Sequence, residues 1–535
     1  MEKTGKIRRY LELLFSHEAL RIVLLVMVTL RSCLFLNMYV GPLVKFTLIW
    51  SAAILVRDLF TERLLLTNRF RGLLYLFLIL YAGTILVMRA DHFARNVSSL
   101  LYMVTNLMVM YAYDLRKDRR AVKEEILRLG HTFMYLTFAG NLISLLAFVL
   151  NIHYRFTYLS GGEEVQCWFG FYSGRMWGFF TNPNTSSDFA VLNVMLMVTC
   201  LVVLGKSVTK RRKRFYIANF VVQALIFFLA NSRTAWICII FYLLTVPFFL
   251  LMFLKDKKGS FPLLAKMSTW TLAKRAGALA VVAALTFTGA NVFAKSVLPR
   301  LVLNTTFFSR QLAQLPGSDS PDPEEDPEEF EVPTDLERDE FGSQLGGRYY
   351  LWKAGLKVVR NHPLFGVGAA NLADYAEEYS LDPEMVGVDP ESEEYVAPYL
   401  PGIQNGGMHN IIMQVAACSG LLGLLAIGAM AVCFLVRTVR YFVRACRRKR
   451  VEPAAAVLAA AVLTILCRSM TEIGLLYSVY YSSVLFWSLV GYLTYFIEKD
   501  AQEDPALKLG EEPVLARLSH RVFGRRRTGS DAGEQ

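Results

Sequence analysis

About twelve runs of roughly 20 apolar residues, each closed by charged residues, leave this chain few folds, because a run of that length crosses a bilayer core as a helix. Hydrophobic side chains make up 54% of the 535 residues, above the roughly 45–50% usual in soluble globular chains. The expected class is therefore an all-α polytopic membrane protein. An amphipathic lead-in over residues 1–19 precedes nine spans in 20–297 and three more in 411–497, followed by a basic tail over 498–535. The first run extends from Leu20 to Val40 and the fourth from Val97 to Tyr113. The last three extend from Ile411 to Val436, Ala454 to Leu475 and Val479 to Ile497. No short apolar region with a small-residue cleavage site opens the chain, so the first run is expected to be retained rather than removed as a signal.

The formal net charge of +12 raises nucleic acid as a partner, and the placement of the charge argues against it. Most lysines and arginines fall in short clusters between runs, among them Arg63 to Arg71, Arg116 to Lys123, Lys210 to Arg214 and Arg437 to Arg450. Positive charge in short loops marks the cytoplasmic side of a membrane. With both termini inside, every strongly basic loop lands on that side, and the stretch 298–410 lands outside with Asn151 to Asn184 and Asn231-Ser232-Arg233. Six of the eight cysteines lie within apolar runs, and no disulfide framework or paired metal motif is visible.

The outer stretch 298–410 is the long polar segment of the chain. Within it, residues 316–343 are dense in Pro, Asp and Glu and offer almost no core-forming side chain, so disorder is expected. A calcium site would need alternating ligands around a central glycine, which this segment lacks. Arg348 to Arg360 has helical spacing. Arg348 falls with the apolar stripe of Leu351, Trp352, Gly355 and Val359, away from Lys353 and Lys357. His362-Pro363 should end that helix, because the residue before proline is pushed out of helical geometry, and Gly366 and Gly368 allow a close turn. From Asp374 to Tyr399, tyrosines alternate with carboxylates, a pattern that suits either stacking on sugar or an ordinary amphipathic cap.

Polar residues at the ends of the runs are the remaining candidates. His409-Asn410 sits where the polar stretch meets an apolar run, and a neutral imidazole accepts a proton near neutral pH. Asn410 is placed to orient it or to bind sugar. Arg233 lies between two runs, where it either meets an anion or snorkels to the interface. Asn182-Pro183-Asn184 precedes a run, with Asn182 as a cap and Pro183 at the first helical position. A helix start also binds anions, and Arg175 lies close by in sequence. Arg468 and Glu472, four apart in an apolar run, read as a paired intramembrane charge.

Taken together, these pieces resemble the O-antigen ligase and polysaccharide polymerase family of membrane proteins. The resemblance rests on Gly178-Phe179-Phe180-Thr181-Asn182-Pro183-Asn184, Asn231-Ser232-Arg233-Thr234-Ala235-Trp236, Gly347-Arg348 with Trp352, Pro363-Leu364-Phe365-Gly366-Val367-Gly368, and His409-Asn410, in that order across the membrane. It covers most of the chain from about Asn151 to Tyr495 and implies a C-type glycosyltransferase-like bundle with one large extracytoplasmic loop. In such a bundle, glycan passes from a polyprenyl-diphosphate-linked donor to a glycan or lipid-linked acceptor outside the cytoplasmic membrane, with no metal or other cofactor. The same resemblance makes His409, Arg348 and Arg233 the expected catalytic groups; Arg175, Asn184, Trp352 and Asn410 are the expected substrate-binding residues. His409 would be either the base or a diphosphate contact. Metal-dependent relatives in the wider C-type group are expected to carry an acid in the first outer loop, and Asn37 to Pro42 has none.

Two other classes fit a polytopic chain. A transporter for lipid-linked sugars predicts internal repeats and interrupted helices with midplane polar groups; no convincing repeat is found. A noncatalytic assembly protein predicts that the outer stretch only binds partners. The topology itself is testable: a reporter fused at Gly342 is expected to be active only outside the cytoplasm, and cytoplasmic activity would invert the assignment.

Overall fold

The computed structural model describes residues 12, 14–62, 64–89, 92–150, 152–160, 163–172, 175–256, 269–298, 348–380, 407–448, 450–504 and 507. The expectations for 316–343, for 381–399, and for most of 1–19 and 498–535 lie outside the described residues. The described chain is mostly helical. Helices α1 (His17–Arg31), α2 (Asn37–Arg57), α3 (Arg71–Val87), α4 (Phe93–Val104) and α5 (Arg119–Val149) lead to a small β region. There β1 (Tyr154–Ser160) pairs antiparallel with β2 (Glu163–Phe169), and β3 (Phe171–Tyr172) with β4 (Arg175–Met176). Helices α6 (Pro183–Leu204), α7 (Lys210–Ala230), α8 (Arg233–Asp256) and α9 (Thr269–Val292) follow. After α10 (Arg348–Asn361) and α11 (Leu372–Ser380), the chain closes with α12 (Ile411–Arg448), α13 (Pro453–Arg468) and α14 (Tyr481–Glu503).

Among the described residues, five helical segments are long and apolar enough to cross a membrane: Asn37–Phe60, Arg119–Val149, Pro183–Ser207, Lys210–Ala230 and Ile411–Arg448. With the shorter apolar helices they make a polytopic membrane bundle. Its interior is built on α6, α13 and α14, which bury residues on almost every face. Helix α6 packs on α5, α7, α8 and α13, and α13 packs on α8 and α14.

Local chemistry starts these helices where the chain needs them. Ser16, Asp118, Asn182, Thr209 and Glu452 each accept a first-turn backbone N–H, and Pro183 and Pro453 occupy the first helical position. The amide-rich core of α5, α6 and α7 is stitched by side chains in series. Asn141 donates to Gln223 and Gln223 to Asn219 at 3.1 Å; Asn219 donates to Asn193, which donates to Thr137 at 2.7 Å. At the end where α5 begins, charges face one another across helices: Arg119 with Asp500 and Glu503, Lys123 with Glu452, and Lys117 and Arg21 with Glu125. A cavity of about 510 Å³ opens at that end, bordered by His17, Arg21, Arg57, Lys117 and Tyr492.

Several expected helix boundaries are corrected. The run from Leu20 to Val40 is two helices, because Ser32 to Leu34 leaves α1 to pair its backbone with Phe179 to Thr181: Leu34 N–H donates to Phe179 at 3.0 Å and Thr181 N–H to Ser32 at 3.1 Å. The run from Val97 to Tyr113 changes from α4 to a π-helical segment over Thr105–Met110. The run from Ala454 to Leu475 ends as helix at Arg468. Beyond it, Asn106 donates to the carbonyls of Leu476 (3.2 Å) and Ser478 (3.0 Å), and the Trp487 indole to that of Leu475 (2.7 Å). Non-helical backbone buried in a bundle needs such partners. Helix α14 continues past Ile497 to Glu503, and α12 past Val436 to Arg448.

Helix α12 is also interrupted at Gly420, whose φ of 66° and ψ of −177° no helix uses. The Pro363 to Gly368 turn fills the interruption. Val367 and Gly368 donate to the carbonyls of Ala417 (2.9 Å) and Cys418 (3.0 Å), while Leu421 and Leu422 donate back to those of Pro363 (2.7 Å) and Leu364 (3.3 Å). Thr84, Tyr81 and Asn96 then hold the backbone of Phe365, Ala369 and Ala370. The polar stretch is thereby bolted to α3, α4 and α12. A Cβ on Gly420 would lie 2.1 Å from the Leu364 oxygen. Gly420→Ala is expected to destabilise the protein by at least the roughly 1–3 kcal/mol of a strained backbone, read as a lower thermal-unfolding midpoint; an unchanged midpoint would contradict the docked turn.

Candidate active site

The site is assembled from the chain segments on which α8, α12, α13 and α14 begin or end. His409 precedes α12 in a left-handed backbone conformation, φ 46°. On either side its neighbours are held. Asn410 caps α12, its side-chain oxygen accepting from Ile412 (2.9 Å) and Met413 (3.2 Å), so its carbonyl oxygen serves the helix. Met408 N–H donates to the Gln414 side chain at 2.9 Å, and the Met408 carbonyl accepts the Trp352 indole N–H at 2.8 Å. Trp352 thus links α10 to the entry of α12. Arg348 opens α10, and its side chain lies outside the described residues.

So fixed, His409 places Nδ1 3.0 Å from a Glu472 carboxylate oxygen. A carboxylate only accepts, so Nδ1 carries the hydrogen and Nε2 is the basic nitrogen. The His409 side chain keeps 28% of its surface exposed and Glu472 11%, a partly dry contact with room for a ligand. The other Glu472 oxygen accepts from the Thr234 hydroxyl at 3.4 Å.

Thr234 follows Arg233, the first residue of α8. The corner before it, Asn231, is left-handed at φ 47°, and the Ala230 carbonyl accepts Arg175 Nε at 3.0 Å. Arg175 also donates to the Asn184 side chain at 2.9 Å, on the first turn of α6. The structure therefore brings together Arg175, Asn184, the Arg233 corner and His409, residues dispersed through the sequence. Asn182 caps α6 through Thr185 N–H at 2.8 Å.

Asp188, buried on α6, has no counterpart among the sequence-derived candidates. It takes Arg468 Nε at 2.7 Å and Nη2 as well, and the Tyr481 hydroxyl at 3.1 Å. Arg468 therefore pairs with Asp188 rather than with Glu472, the partner its four-residue spacing suggests. The reason is that α13 stops at Arg468, which leaves the guanidinium directed at α6 while Glu472 faces His409. An acid alone in an apolar run is the signal that points to Asp188.

Residues 218–428 match the family model described as O-antigen ligase. The chain carries an O-antigen ligase domain. The matched stretch includes Arg233, Arg348, Trp352, the turn docked at Gly420, and His409. Arg175, Asn184, Asp188, Arg468 and Glu472 lie outside it, and the geometry alone joins them to the O-antigen ligase domain. No curated protein matches the chain.

Trp352→Phe keeps a six-membered aromatic ring and loses the pyrrole part with the N–H that the Met408 carbonyl accepts. Its expected effect is a loss of about 1–3 kcal/mol in stability, the cost of an unpaired acceptor, measured by thermal unfolding; an unchanged midpoint would contradict the Trp352–Met408 link.

Proposed function

We propose that this protein is a membrane glycosyltransferase that moves glycan from a polyprenyl-diphosphate-linked donor onto an acceptor hydroxyl at the outer face of the cytoplasmic membrane. The O-antigen ligase domain and the polytopic bundle support membrane glycan assembly. The observation that carries the reaction type is the 3.0 Å contact between His409 Nδ1 and Glu472. It fixes the tautomer that a general base needs and gives the imidazolium a counter-ion.

In this reading the acceptor hydroxyl oxygen attacks the anomeric carbon and His409 Nε2 takes its proton. The bond from the anomeric carbon to the diphosphate oxygen breaks, and polyprenyl diphosphate leaves with the electron pair. A single displacement inverts the anomeric centre. Arg233 and Arg348 meet the charge that grows on the leaving group; their planar forks match phosphate oxygens and stay charged at any working pH. Positioned cations of this kind supply several kcal/mol of transition-state stabilisation. Arg175 and Asn184 extend the same polar corner toward the sugar. No metal is required in this scheme: the Asp188 carboxylate is engaged by Arg468 and Tyr481, and Glu472 by His409 and Thr234.

The polyprenyl chain also has a path. An apolar cavity of about 410 Å³ between α12, α13 and α14 begins at Ile411, Ile412 and Met470, next to His409 and Glu472, and continues to Phe434 and Leu435. Transport is the other reading of an interrupted helix in a bundle. The interruption at Gly420 favours it little, since the Pro363 to Gly368 turn takes its freed backbone groups.

With purified protein and a polyprenyl-diphosphate-linked repeat, His409→Gln is expected to slow polyprenyl diphosphate release by about 10²-fold or more, and Glu472→Gln by about 10- to 100-fold. Wild-type turnover in His409→Gln would remove the base assignment.

A further inference from the structure

Arg468 lies one turn before Glu472, whose N–H donates to the Arg468 carbonyl at 3.0 Å. Asp188 and Glu472 both act on the charge of the Arg468 guanidinium. It takes Asp188 with two of its nitrogens and directs the third to the Ile473 carbonyl at 3.4 Å. Both members of the pair are buried, with 7% and 4% of their side chains exposed. Glu472 then accepts His409 and Thr234.

We infer that Asp188 is a positioning residue that holds Arg468 away from Glu472 and so reserves Glu472 for His409. Two guanidinium N–H groups on one Asp188 oxygen join opposite full charges, a stronger contact than one hydrogen bond from a neutral imidazole. A buried arginine without a counter-ion is also strongly unfavourable. Deprived of Asp188, Arg468 turns to Glu472, the carboxylate one turn further along its own chain and the His409 partner. His409 then loses the contact that fixes its tautomer while its own surroundings stay intact. Tyr481 reinforces the arrangement by donating to the Asp188 oxygen that Arg468 also uses. The described groups that share this neighbourhood include Asp188 from α6, Arg233, Thr234 and Cys238 from α8, Cys467 and Arg468 from α13, Tyr481 from α14, His409 and Glu472 itself.

The turnover arm of the test rests on His409 being the base; the spectroscopic arm does not. Full-length protein with 15N-labelled histidine is followed through the His409 Nδ1–H resonance, assigned by its absence in His409→Gln, alongside kcat, KM and thermal unfolding. In Asp188→Asn the resonance is expected to leave its wild-type position, and kcat to fall about 10- to 100-fold with KM for the lipid-linked repeat little changed. The double variant Asp188→Asn/Arg468→Gln removes the competing cation, so the resonance and most of the turnover should return. A purely structural ion pair predicts a lower unfolding midpoint in Asp188→Asn with the wild-type resonance and kcat kept in the folded protein. That result, or a double variant whose resonance stays displaced, would overturn the inference. The double variant carries no unpaired charge, so it decides even where the single variant does not fold: a retained resonance supports the inference and a lost one contradicts it. Absence of turnover in the wild type would sink the proposed function and leave the resonance to judge Asp188.

Discussion

The pairing of Arg468 with Asp188 is the interaction on which the site end of the bundle depends. Taking two opposite charges out of water is expensive, and their attraction offsets the expense only when geometry is good and the remaining donors find acceptors. Here the guanidinium holds one Asp188 carboxylate oxygen with two of its nitrogens, reaches the Ile473 carbonyl, and stands 5.9 Å from the centre of the Tyr481 ring. Those contacts join the first turns of α6, the end of α13 and the start of α14. They also set the course of the segment from Ser469 to Tyr480, which carries Glu472 to His409.

A second constraint acts on the backbone. Inside a packed bundle, non-helical segments persist only where side chains or other backbone groups satisfy them. Three breaks among the described residues show this, and each is filled. The break after α1 pairs with Phe179 to Thr181, the break at Gly420 receives the turn after α10, and the segment after α13 is met by Asn106 and Trp487. Two of the three bear directly on the site. The turn anchors the polar stretch that returns as Met408 and His409, and the segment after α13 holds Glu472.

Much of the helical framework was legible in the sequence because it depends on local chemistry. The cap and proline at Asn182-Pro183, the helix end before Pro363 and the glycine turn after it are written within a few residues. Arg233 at a helix start and His409 at a helix entry could be singled out for the same reason. Breaks inside apolar runs were not legible: hydropathy averages across Ser32 to Leu36 and Gly420, where the deciding bonds come from elsewhere in the chain. The local spacing of Arg468 and Glu472 pointed to the wrong partner, because the right one is 280 residues away. Asp188 went unnoticed for that reason, although an acid buried among Phe189, Ala190 and Val191 is itself a signal.

The account places the transfer centre at the end of the bundle where Arg233, His409 and Glu472 meet, away from the charged cavity bordered by Arg21, Arg57 and Lys117. An experimental structure of the purified protein with polyprenyl diphosphate bound tests this most directly. The account predicts the diphosphate between the Arg233 corner and His409, with the polyprenyl chain leading into the apolar cavity along α12. Diphosphate seated in the cavity at the opposite end, with the His409 side unoccupied, would contradict it.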